Sequence, residues 1–127
     1  MCKNKPRQKG VKFNNFPLFL NLMVKITDDV YEVGGKDNLS SNVYLVNKTI
    51  LIDLGSKENA LNLIKNLKDL NIKPDQISKV IFTHLHYDHI GNPSLFTKAT
   101  FYTSKQEIQD LERLGFLAVA SPDAYQL

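Results

Sequence analysis

Cysteine is almost missing from this chain: Cys2 is the only one, so no internal disulfide can form. That scarcity fits a reducing compartment, and a cytoplasmic setting is the expectation. Tryptophan is absent altogether, and no apolar run approaches the roughly 20 residues needed to span a bilayer. A secretory leader is not expected either. The apolar stretch 16–24 is interrupted by Pro17 and Asn21 and is followed by no small-residue cleavage site. Acidic residues are missing from positions 1–22, which carry Lys3, Lys5, Arg7, Lys9 and Lys12 for a local charge of +5. The net charge of +3 is therefore a property of that segment, because the other 105 residues hold 11 basic and 13 acidic side chains. The segment reads as a solvated, disordered extension in front of a domain over 23–127. A nucleic-acid or membrane arm is the lesser reading, since only Phe13, Phe16 and Phe19 interleave its charges.

Histidine is just as scarce, and its distribution is what singles this sequence out. All three, His84, His86 and His89, fall in the stretch THLHYDHIGN, with Asp88 between the last two. Imidazole nitrogen and carboxylate oxygen suit zinc and similar borderline divalent ions. A lone histidine is usually a hydrogen-bonded core residue, and a lone aspartate a turn former. Four such groups within six positions point to a metal site.

The rest of the chain supplies a scaffold. At 127 residues, with 43% hydrophobic and 23% charged, it has the composition of a globular domain. Val24–Thr27, Val30–Val33, Asn42–Val46, Thr49–Leu54, Lys79–Thr83 and Thr100–Thr103 read as strands. A tight turn at Asn47-Lys48 joins the third to the fourth, and the fourth is apolar on both faces, hence central and covered. Ser56 is placed to cap a helix over 57–70 whose apolar side carries Ala60, Leu61, Ile64, Leu67 and Leu70, with Asn66 turned outward. Pro74 opens a helical turn. A second helix starts at a capping box, Ser104 with Glu107, carries an Ile108, Leu111 and Leu114 stripe, and ends at Gly115. The order predicts an α/β layered fold with the motif at a strand end, where such folds place ligands.

Spacing carries the chemistry further. Residues two apart on extended backbone face the same way, so His84 and His86 form a pair while Leu85 points to the core. A turn at Tyr87-Asp88 would carry Asp88 and His89 to a second ion. Two divalent ions about 3.5–4 Å apart clamp the oxygens of a hydrolytic transition state.

These residues, His-Leu-His-Tyr-Asp-His, resemble the HxHxDH signature of the metallo-β-lactamase-fold hydrolases. The preceding hairpin, Asp53 at a strand end, and the helix and strand running into the motif resemble that family as well, over about 23–113. Gly91-Asn92, Leu95-Phe96 and Ser104 to Glu107 look like the metallo-β-lactamase domain-containing protein 1 group. The resemblance implies that His84 and His86 bind one zinc and Asp88 and His89 another, with manganese or iron as alternatives. Asp88 would also take part in catalysis, and Asp53 would orient the histidine segment from behind. It implies hydrolysis by a metal-bound hydroxide, on an ester, thioester, lactone or β-lactam or on an RNA phosphodiester.

The family's fold is a four-layer αβ/βα sandwich whose second half brings further ligands. No histidine follows His89, so the chain resembles the N-terminal half: a mixed sheet with helices on one face. Three explanations are expected, in this order: a truncated product, one part of a split hydrolase, and a half-fold that dimerises. A non-catalytic metal-binding fragment or subunit is the competing class.

Overall fold

The computed structural model describes residues 23–35 and 40–114. The expectations for the basic segment 1–22, for Gly115 as a helix cap and for 116–127 lie outside the described residues.

Alternating and β-branched sequence produces one mixed sheet of six strands in the spatial order β1-β2-β3-β4-β5-β6. These are Val24–Lys25, Val30–Gly34, Val43–Val46, Ile50–Ile52, Lys79–Ile81 and Thr100–Tyr102. The first four form an antiparallel meander, and β5 and β6 then add in parallel. The β3–β4 turn falls at Asn47 and Lys48, both left-handed with φ of 51° and 63°, which suits the twist of a hairpin. Among the described residues three α-helical segments accompany the sheet: α1 (Ala60–Asp69), the single turn α2 (Tyr87–Ile90) and α3 (Lys105–Leu114). No described helix is long and apolar enough to cross a membrane.

Register explains which face is covered. Leu45, Leu51, Val80 and Phe101 line up across β3 to β6 on one face. They join Leu63 and Leu67 of α1 in the buried cluster, with Leu111 of α3 packed against it. Tyr44, Ile52, Ile81 and Tyr102 line up on the opposite face, where Ile81 and Tyr102 remain 37% and 46% exposed. Strand β4 is therefore central and apolar on both faces as expected, but among the described residues it is covered on one. Helices sit on one face because both crossovers pack against the Leu51 side.

Helix α1 departs from the predicted pattern. Leu61 is 83% exposed, and the buried positions are Ala60, Leu63, Asn66 and Leu67. The reason lies in β2, where the register shifts between Glu32 and Gly34 and frees the Val33 carbonyl from the ladder. Asn66 Nδ2 donates to that carbonyl at 2.8 Å. A buried carbonyl left unpaired would cost about 1–3 kcal/mol, enough to choose the helix face that brings Asn66 inward. The start of the helix also differs. A 3-10 turn over Lys57–Asn59 precedes α1, and Ser56, fully buried, makes no side-chain cap. Its backbone N–H donates to Ser40 Oγ instead.

Helix α3 keeps half of its capping box. Glu107 N–H donates to Ser104 Oγ at 3.2 Å, but the Glu107 carboxylate turns away from Ser104. Its apolar stripe is only partly covered, with Ile108 and Leu114 each 43% exposed.

Candidate functional site

Parallel pairing of β4 with β5 brings two strand ends together. Asp53 N–H donates to the Ile81 carbonyl, so the chain leaving β4 runs beside the chain leaving β5. Asp53 is 4% exposed and adopts φ 61°, a left-handed conformation uncommon for a residue with a Cβ. Strain of this kind persists where surrounding bonds over-determine it. Here Asp53 Oδ1 accepts from Thr83 N–H, and Oδ2 accepts from Thr83 Oγ1 and from His89 Nδ1, each at 2.8 Å.

After β5 the chain bends at Thr83, passes through His84 and Leu85 without regular structure, and closes into α2. His86 is the residue before the turn, extended at φ −73° and ψ 153°, and its carbonyl accepts from His89 and Ile90 N–H. The far end of α2 is held by two distant amides. Ser41 N–H donates to the Asp88 carbonyl and Leu54 N–H to the His89 carbonyl. Gly91 then leaves at φ 58°, ψ −131°, and a Cβ there would lie 2.6 Å from Leu54 Cβ. Only glycine lets α2 approach the end of β4 so closely.

Three imidazoles result in one cluster. The His84 ring lies between the other two, 4.8 Å from His86 edge-on and 3.9 Å from His89, centroid to centroid. A carboxylate can only accept, so the Asp53 contact places the proton of His89 on Nδ1 and leaves Nε2 with a lone pair. Thr83 Oγ1 gives its proton to Asp53 and so can accept from His84 Nδ1 at 3.2 Å, which frees His84 Nε2 in the same way. His89 Nε2 stands 3.7 Å from Asp88 Oδ2, and Asp88 is partly open to solvent. Burial, with repulsion from His89 and His86, lowers the pKa of His84 below the ordinary histidine value, against the opposing pull of Asp53 and Glu107. The neutral form thus favoured is the one that can donate an electron pair.

The donor set suits a borderline divalent ion, and in His84 and His89 the second ring nitrogen is anchored, as ligating histidines require. Among the described residues no group of three or more His, Cys, Asp or Glu side chains is arranged to hold an ion alone. Every residue singled out in the sequence, His84, His86, Asp88, His89 and Asp53, falls in this one region. Sequence reasoning missed two others. Thr83 bridges Asp53 and His84, and its only signal was its place ahead of the motif. Glu107 Oε1 accepts from Leu85 N–H at 2.7 Å, a role its capping-box position concealed.

Known proteins resemble this chain over part of its length. A Methanocaldococcus jannaschii protein named "Probable metallo-hydrolase" is 48% identical over 58 residues, 46% of this chain and 29% of its own length. Metallo-beta-lactamase domain-containing protein 1 of Xenopus laevis is 34% identical over 68 residues, 54% of this chain and 28% of its own. Shorter matches include an N-acyl homoserine lactonase of Rhizobium rhizogenes and a ribonuclease Z of Streptococcus uberis. Among solved structures, a subclass B3 metallo-beta-lactamase from a soil metagenome library superposes with a TM-score of 0.60 at 26% identity. That match covers 71% of this chain and 35% of the other. The match thus spans under a third of the length of the curated relatives and about 35–41% of the solved structures. The pattern of the Metallo-beta-lactamase superfamily matches residues 37–112. On that match, which spans more than half of the sequence, the chain belongs to the metallo-beta-lactamase superfamily.

Proposed function

We propose that this chain carries the histidine-rich half of a two-metal hydrolase site, with His84 and His86 serving one zinc and Asp88 and His89 the other. One observation carries the reading. Asp53 holds the Nδ1 proton of His89 from inside the fold, directly and, through Thr83, also faces His84. A carboxylate behind a histidine is how metal-binding imidazoles are commonly oriented. The names of the relatives, metallo-hydrolase and metallo-beta-lactamase, support a metal and hydrolysis.

Bound zinc would supply Lewis acidity and activate water at neutral pH. The chain's own residues do the rest: Asp53 and Thr83 fix ring orientation, and α2 holds Asp88 beside His89. The remaining ligands come from residues outside those described, in continuing chain, in a separate chain or in a second copy. Relatives named for lactones, β-lactams and RNA leave an acyl or phosphodiester substrate as the two classes to separate. A cytoplasmic location goes with this reading.

The test counts zinc per chain by atomic emission in the wild type and in His84→Ala, then follows hydrolysis of an ester, a lactone, a β-lactam and a phosphodiester. The wild type should retain zinc and the variant lose it. Equal zinc content in both would overturn the metal reading. Zinc held with no turnover of any substrate would reduce the chain to a metal-binding subunit.

A further inference from the structure

The histidine segment is gripped from two sides, and only one grip is explained by Asp53. On the other side Phe82 N–H donates to the Tyr102 carbonyl, and Thr103 Oγ1 donates to the Phe82 carbonyl, which extends β6 alongside the segment. Beyond that point the partner changes from backbone to side chain. Leu85 N–H, the amide between the two leading histidines, donates to Glu107 Oε1 of α3 at 2.7 Å. Hydrogen bonds to a carboxylate are short and roughly twice as strong as neutral ones. The Leu85 side chain is buried and its amide lies in a part-buried setting, where an unpaired N–H is costly.

We infer that Glu107 is a positioning residue for the histidine segment: by holding the Leu85 amide it fixes the course of the backbone that presents His84 and His86 together. The inference rests on the metal-binding reading of those histidines. The stereochemistry is direct. Leu85 is buried while His84 and His86 on either side of it are more open, their rings 4.8 Å apart, so pinning the Leu85 amide and burying its side chain sets the direction of both imidazoles. Helix α3 has little other anchorage. None of its described residues is buried: Leu111 packs against the edge of the core, and Ile108 lines an apolar groove with Phe82, Leu85 and Phe101. The Ser104 cap sets the first turn and thereby the height at which Glu107 meets Leu85. Two carboxylates thus bracket the cluster, Asp53 from the end of β4 and Glu107 from α3. Glu107 is near enough for its charge to bear on His84.

The experiment uses the full chain with Glu107→Ala, Glu107→Gln and Glu107→Asp, and Glu112→Ala as an exposed control on the same helix. Two quantities are read: hydrogen exchange of the Leu85 amide in metal-free protein, and zinc affinity by competition with a chromophoric chelator. Ala and Asp should each speed Leu85 exchange and weaken zinc by about tenfold, the low end for groups that orient ligands. Asp keeps the charge but is one methylene too short. Gln keeps an acceptor at the right reach and should stay within about threefold of wild type, as should the Glu112 variant. If the Ala variant unfolds by circular dichroism, the Asp and Gln pair decides. Exchange and affinity unchanged in both Ala and Asp variants would overturn the inference while leaving the metal reading intact. A wild type that binds no zinc would defeat the metal reading, and Leu85 exchange would then decide the positioning role alone.

Discussion

Replacing Asp53 by asparagine removes very little volume and should still disable the histidine cluster. The aspartate accepts three bonds at 2.8 Å, from Thr83 N–H, Thr83 Oγ1 and His89 Nδ1. Asparagine keeps one oxygen, which can go on accepting from the Thr83 amide. Its other terminal atom is a donor, which faces two groups that were themselves donating. Hydrogen bonds to a charged group contribute about 1.5–3 kcal/mol each, and two are lost at a residue 4% exposed. Partial rearrangement recovers some of this, so a loss of about 2–3 kcal/mol is expected. Asparagine tolerates the left-handed φ of 61° better than most residues. Alanine should cost more, about 4 kcal/mol, because it forfeits all three bonds and adds backbone strain. A domain with about 5–15 kcal/mol of total stability would survive the first change and come near unfolding with the second. The effect on the site has a different origin. An amide N–H facing His89 Nδ1 favours the tautomer protonated on Nε2, which removes the lone pair a metal would need. Zinc affinity of the asparagine variant should fall about 10- to 100-fold. Urea denaturation with chelator-competition titration measures both. A variant with wild-type midpoint and wild-type zinc affinity would refute the reasoning.

Two further outcomes follow from the same geometry. In metal-free protein the His84 ring should titrate below the ordinary histidine range, read from its carbon-bound proton shifts against pH, and a midpoint at or above 6.5 would contradict it. Because the folded pKa lies below the unfolded one, the unfolded chain binds more protons within that interval. His84 therefore contributes stability that is full above about pH 6.5 and is lost as pH falls toward its folded pKa. On α1, Asn66→Leu should cost about 1–3 kcal/mol by orphaning the Val33 carbonyl, whereas Leu61→Lys should stay within about 0.5 kcal/mol, both by urea denaturation. Reversal of that order would mean the helix presents the other face.

The six strands were legible because β-branched alternation is a local signal, and the Asn47-Lys48 turn because its left-handed pair leaves few other conformations. Face selection on α1 was not. Its apolar residues occupy enough of the helix circumference that Leu61 and Leu63 are equally good candidates by spacing. The choice fell to a carbonyl released by an irregularity in β2, which helical spacing alone does not reveal. Glu107 was misassigned for a similar reason. A capping box is defined within four residues of sequence, and it cannot register that an amide 22 positions earlier offers the carboxylate a better partner.

For the cluster itself the division is sharp. Three histidines and an aspartate within six positions have to share a small volume, since about 3.3 Å per residue of extended chain gives them nowhere else to go. The sequence alone therefore determined the donor types and their confinement to one strand end. Tertiary structure decided what stands behind them. Asp53 and Glu107, 36 positions before His89 and 22 after Leu85, reach the segment only because β4 runs parallel to β5 and α3 returns over the same face. Backbone periodicity acts between neighbours, whereas the proton on His89 Nδ1 is set by whichever acceptor the sheet order brings alongside.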